Sequence, residues 1–246
     1  MEGLVDAPMR AALTAVGGID WCVTEFIRVT QSVLPTRTYQ RLAPEMDNDW
    51  HTASGTPLHV QFLGSDVNFL AENAARAAAL GAREIDLNFG CPAKSVNRHR
   101  GGAVLLDEPE LLHQIVSAVR AATPTQVRVT AKMRLGYLDK SRMLDCARAL
   151  DAAGAAQIVV HARTKAEGYK PPAHWHCIAQ IVEVVQAHVI ANGEIWTVDD
   201  YWQCRRESGC ADVMLGRGLV ARPDLALQIR SVLDGHSAEP LGWEPI

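Results

Sequence analysis

The chain has 246 residues, 48% of them hydrophobic, enough to bury the core of one large α/β domain. Its formal net charge of −4 announces no nucleic-acid partner for the molecule as a whole, so a polyanion would have to find a local basic patch. Six cysteines show neither a C-x-x-C pair nor zinc-ligand spacing, no apolar run reaches the roughly 18 residues that span a bilayer, and Glu2 and Asp6 stand where a secretory signal is basic; reduced thiols, no metal, no membrane and a cytoplasmic location are expected.

In chain order, helical and strand-like periods alternate. Residues 6–15 read as a helix with Asp6 as cap and Pro8 in its first turn. A strand over 21–27 and another over 58–64 precede a helix over 66–80 that stops at Gly81. Strand 84–90 leads to helix 108–122, with Asp107 as its cap, and strand 127–134 to helix 141–153. Strands over 156–163 and 188–194, helix 197–207, strand 211–218 and helix 222–233 complete the series. Strands separated by helices at this spacing predict parallel pairing with right-handed crossovers. Seven strands are one short of a (β/α)8 TIM barrel. Residues 1–3 already read as a βα loop, so the first strand is expected before Met1; an open doubly wound sheet is the alternative. Residues 1–235 are expected to form the barrel and 236–246 a tail leading out of it.

The segment over 84–92 organises the site. Ile85, Leu87 and Phe89 point one way and Asp86 and Asn88 the other, which puts polar side chains inside the barrel. Gly90 and Pro92 end the strand and leave Cys91 in its first turn, at the carboxyl end of the sheet where α/β folds keep their chemistry. Gln61, Asn88, Lys132, His161 and Asn192 come from five different strands and converge on the same mouth. The last two strand ends carry Asn192-Gly193-Glu194 and Gly216-Arg217-Gly218, where glycine lets backbone N–H groups approach a phosphate and arginine completes the clamp. Two βα loops are basic: one holds Lys94, Arg98 and Arg100, the other Arg163, Lys165 and Lys170 with Tyr169 between them. With Arg28, Arg37 and Arg41 they form either a solvated rim or a track for a phosphate backbone.

Met1-Glu2-Gly3, Val60-Gln61-Phe62-Leu63-Gly64, Asp86-Leu87-Asn88-Phe89-Gly90-Cys91-Pro92, Lys132-Met133-Arg134-Leu135-Gly136, His161-Ala162-Arg163-Thr164-Lys165, Ala191-Asn192-Gly193-Glu194-Ile195 and Met214-Leu215-Gly216-Arg217-Gly218 occur in one order along nearly the whole chain. In these the sequence resembles the tRNA-dihydrouridine synthases, and within them subfamily C, which acts at position 16. The resemblance implies an FMN-dependent oxidoreductase that takes electrons from NADPH and reduces a D-loop uridine of tRNA. It implies Cys91 as proton donor, and Met1, Glu2, Gly3, Gln61, Lys132, His161, Asn192, Gly193, Glu194, Gly216 and Arg217 around the flavin. Glu25, Asn88, Lys94, Arg134 and Arg163 are implied on the substrate side. An ordinary thiol keeps its proton at neutral pH and suits the donor role. A monomer is expected. The family's first barrel strand and C-terminal helical domain are not in this sequence. A flavin oxidoreductase acting on a small pyrimidine, a Schiff-base aldolase using Lys132, and an inactive tRNA-binding remnant stay open.

Overall fold

A computed structural model describes residues 3–237 and 241–242. Helix α1 (Ala7–Val16) starts as expected, the Asp6 carboxylate accepting from Met9 N at 3.0 Å. Strands β1 (Cys22–Val23) and β2 (Ile27–Arg28) pair in turn with β3 (Leu58–Leu63), Cys22 beside Leu58 and Ile27 beside Phe62. They are two ends of one stave. It is interrupted where the Thr24 hydroxyl, rather than a backbone carbonyl, accepts from Gln61 N at 3.0 Å. The single strand expected over 21–27 is therefore broken by a side-chain hydrogen bond.

From β3 the sheet continues through β4 (Glu84–Phe89), β5 (Arg128–Arg134), β6 (Gln157–His161), β7 (His188–Asn192) and β8 (Val213–Met214), all in parallel. These are the staves of a TIM barrel. Seven staves curl round, and among the described residues β1 and β8 do not pair with each other. Outside run α2 (Thr36–Leu42), α3 (Val67–Ala79), α4 (Lys94–Arg98), α5 (Pro109–Ala122), α6 (Met143–Ala152), α7 (Trp175–Val182), α8 (Val198–Ser208), α9 (Arg217–Ala221) and α10 (Leu225–Leu233). Asp66 caps α3, and Thr197 with Asp200 forms a capping box on α8, which ends at Gly209 in the left-handed region. The expected cap Asp107 is corrected to Glu108. Glu108 makes no side-chain capping bond, and Pro109, with its fixed φ and no N–H to satisfy, opens α5.

Strand alternation divides the interior into two layers. Ile85, Leu87 and Phe89, with Val129, Ala131, Met133, Ile158 and Val160, are buried under the helices and make the main core. The intervening residues face the barrel axis. At its lower end Glu84 lies 3.0 Å from His59 Nδ1 and 3.1 Å from Arg128, with Trp21 stacked on His59 at 4.4 Å. Polar groups thus plug the lower end and line the upper one.

Candidate active site

The upper layer is a connected polar floor. Asp86, wholly buried, accepts from Gln61 Nε2 at 2.7 Å and from the Thr130 hydroxyl at 2.8 Å. Gln61 Oε1 in turn accepts from Asn88 Nδ2 at 2.8 Å, and Asn88 Oδ1 accepts from Gly90 N at 2.9 Å. On the far side Lys132 Nζ donates to Asn192 Oδ1 at 2.7 Å, and Asn192 Nδ2 donates to Met214 O at 2.7 Å, which fixes that amide. Burial raises the Asp86 pKa against the pull of Gln61, Thr130 and Lys132. Burial likewise brings Lys132 down to about 7, helped by Arg134 and opposed by Asp86. His161 is lowered to about 2, first by burial and then by Lys132, Arg134, Arg163 and Arg217 around it, so its imidazole is neutral. Its Nδ1 is buried with no hydrogen-bond partner among the described residues.

These groups open on a cavity of about 1130 Å³ that also reaches Cys91, Arg134, Gly193, Glu194, Gly216 and Arg217. Cys91 follows the end of β4 after one intervening residue, Gly90, and is 9% exposed. Arg134, at the end of β5, donates to the carbonyls of Gly90 (2.9 Å), Thr164 (3.0 Å) and Gly168 (2.9 Å) and ties the Cys91 turn to the loop after β6. That loop closes on itself: Glu167 accepts from Thr164 N at 2.6 Å and from His174 Nε2 at 2.7 Å. It carries Tyr169 to the mouth, 4.7 Å from the Arg217 guanidinium and 5.2 Å from that of Arg134.

Arg217 lies between Tyr169 and Trp196, whose ring centroid is 5.1 Å away. Glu194, at a positive φ of 61°, accepts from Arg163 and from Trp196 Nε1. Burial pushes its carboxyl up, but those two donors and the charges of Arg163 and Arg217 outweigh it and hold Glu194 below the usual carboxylate range. Two guanidinium charges against one carboxylate leave this corner net positive. The backbone N–H groups of Gly193, Glu194 and Gly216 donate to nothing among the described residues, and a Cβ on Gly216 would meet open space. This donor set, with the unpartnered His161 nitrogen and the cavity's size, fits a flat ring system carrying a phosphate.

Of the remaining residues singled out in the sequence, Gly3 donates its N–H to Glu25, which does not line the cavity; Met1 and Glu2 lie outside the described residues. Lys94 is exposed at the start of α4. Arg163 is fully buried, held by Pro172 O at 3.1 Å and by Glu194, and is absent from the cavity wall. Asn97 and Gly102, which set the Cys91 turn, carry no sequence period and were not expected there.

The fold and site define a barrel enzyme with a glycine- and arginine-bearing corner and a thiol at one cavity. The chain matches the family described as Dihydrouridine synthase (Dus) over residues 1–243, and it belongs to that family. A tRNA-dihydrouridine(16) synthase of Aquipseudomonas alcaligenes is 63% identical over 243 residues, 99% of this chain and 77% of that one. Proteins of the same name from Pseudomonas putida and Neisseria meningitidis serogroup B are 60% and 53% identical, over 100% and 96% of this chain and 76% and 71% of theirs. Among solved structures, histamine dehydrogenase from Rhizobium sp. 4-9 superposes with a TM-score of 0.65 at 13% identity, covering 93% of this chain and 43% of its own. A variant of NCR from Zymomonas mobilis gives 0.60 at 16% identity, covering 94% and 80%. At such identities the likeness is one of fold.

Proposed function

We propose that this chain reduces the uridine at position 16 of tRNA to 5,6-dihydrouridine, with FMN in the barrel mouth and NADPH as the source of electrons. The observation that carries the proposal is that Cys91, Lys132, His161, Asn192 and the Gly216-Arg217 turn all line one cavity, in a chain whose family reduces uridine. The names of the relatives support the tRNA position. Gln61, Lys132, His161 and Asn192 would hold the ring system, and the backbone of Gly193, Glu194 and Gly216 with Arg217 its phosphate. When bound, the flavin supplies the hydride that adds to C6 of the base.

The chain's own residues do the rest. Cys91 gives its thiol proton to C5, the C5–C6 double bond becomes single, and the thiolate regains a proton from water. Lys132 would stabilise negative charge on the ring system; with a pKa near 7 it can take up a proton when such a charge approaches. Asn88 and Arg134, both hydrogen-bonded to Gly90 next to Cys91, would contact the base. The base must leave its stack to reach this depth, as for other enzymes that act on bases. The exposed side chains of Arg28, Lys94 and Arg98 beside the mouth would meet the phosphate backbone.

The test is to reduce flavin-loaded chain with NADPH and add tRNA lacking dihydrouridine. Reoxidation of the flavin with a gain of two hydrogens at position 16 is expected. Reoxidation by free uridine but not by tRNA would support a small-pyrimidine reductase instead.

A further inference from the structure

On its outer side the turn that carries Cys91 is anchored by a buried amide, that of Asn97. Between Lys94 and Arg100 only Val96 and Asn97 are buried; Lys94, Ser95, Arg98, His99 and Arg100 are all exposed. Asn97 is 8% exposed and uses its whole amide. Nδ2 donates to Cys91 O at 2.9 Å and to Ala93 O at 2.8 Å, while Oδ1 accepts from Val104 N at 2.8 Å. The Cys91 carbonyl accepts a second bond, from Ala103 N at 3.1 Å. Gly102 presses on the same group from the other side: at a φ of +67° its missing Cβ would stand 2.7 Å from Cys91 O and 2.9 Å from Cys91 Cβ.

A cysteine side chain has a single rotatable bond before its sulfur, so the backbone largely decides where that sulfur stands. A proton donor must come within hydrogen-bond reach of its target, and displacement by an ångström is costly. From this geometry we infer that Asn97 is a positioning residue for Cys91. It clamps the carbonyl of the proton donor so that the loop's outer face can meet a polyanion without dragging the thiol out of register. The inference rests on the proton-donor role proposed for Cys91, but the clamp is measurable without it.

The measurement is the alkylation rate of Cys91 by iodoacetamide in the full chain, read by mass spectrometry of the peptide containing it, in wild type, Asn97→Leu and Gly102→Ala. Asn97→Leu keeps the branched outline of the side chain and removes all three hydrogen bonds; Gly102→Ala disturbs the same carbonyl without touching Asn97. Both are expected to raise the alkylation rate about tenfold, as local opening of the turn becomes easier. In flavin-loaded chain the half-reaction with tRNA should slow by about 10²-fold while bleaching by NADPH stays near the wild-type rate. A merely structural role would instead lower melting temperature and both half-reactions together. Where Asn97→Leu is too unstable to measure, Asn97→Asp, which keeps the acceptor for Val104 N and loses both donors, takes its place. Wild-type alkylation in every variant that folds overturns the inference. If Cys91→Ala itself leaves tRNA reduction intact, the donor role fails, yet the alkylation rates still report whether the clamp exists.

Discussion

Cys91 and Lys132 line the same cavity, and the tasks proposed for them are opposite: one would give up a proton and the other would stabilise negative charge. Cys91→Ala should therefore keep flavin and lose between about 10²- and 10⁴-fold in dihydrouridine formation, the usual worth of a positioned acid; undiminished turnover would assign the proton to another group. For Lys132 the pH dependence has a definite sign. Unfolded, the amine holds its proton to about 10.5, and folded only to about 7. Between those values the unfolded chain binds more protons, so this group adds stability as pH rises through the window and withdraws it as pH falls. In flavin-free chain, the stability of wild type relative to Lys132→Met should increase from pH 7 to pH 10 in denaturant titrations. A constant difference across that range would contradict the burial of this amine. The low pKa alone would equally suit an amine nucleophile; membership of the dihydrouridine synthase family and the thiol beside it decide against that reading.

Much of this side-chain arrangement was legible because a strand has a period of two: Asp86, Asn88, Lys132, His161 and Asn192 had to face one way once their apolar neighbours faced the other. What the period does not reach was hidden. Arg163 shares the parity of His161, but Arg163 N donates to His161 O at 2.7 Å, and that tight turn takes its side chain away from the cavity to Glu194. Asn97 and Gly102 meet Cys91 across a loop, and nothing local in the sequence marks such a contact.

At the scale of elements, the first turn of α9 packs closely against the loop after β7, beside the proposed phosphate site. A Cβ on Gly218 would stand 2.0 Å from Ile195 O, a backbone atom that cannot swing aside. Gly218→Ala should cost about 1–3 kcal/mol. It should lower the melting temperature and weaken FMN uptake together in a thermal-shift titration. Unchanged melting and uptake would mean that the loops after β7 and β8 do not form one cradle. The longer helices were readable from their apolar stripes and caps, whereas α2, α4 and α9 are at most 7 residues long and too short to show a period. α7, with Trp175, Cys177, Ile178 and Ile181 all buried, lies in a run with little polar contrast. The loop after β6 holds Tyr169 over the mouth by Glu167, His174 and Arg134, contacts no spacing rule supplies.

For the molecule as a whole, parallel strands in sequence order made the barrel legible, and seven staves were counted from the pattern and found. The net charge of −4 gave no hint of a polyanionic substrate, because acidic side chains elsewhere offset a local basic rim. Replacing Lys94, Arg98 and Arg100 together by alanine should weaken tRNA binding and flatten the slope of log affinity against log salt by up to about 2, at about 0.7 per phosphate contact. Arg100 already pairs with Glu108 at 2.7 Å, so it should supply the smallest share. An unchanged slope would make this loop a solvated rim.

Whether one cavity unites a reducible cofactor, a proton-donating thiol and an RNA base can be read in a visible spectrum of the purified chain given FMN, then NADPH, then tRNA lacking dihydrouridine. With air excluded, flavin absorbance that bleaches with NADPH and returns only when tRNA is added is expected. A chain that takes up no FMN, or whose reduced flavin is left untouched by tRNA, would contradict the proposal.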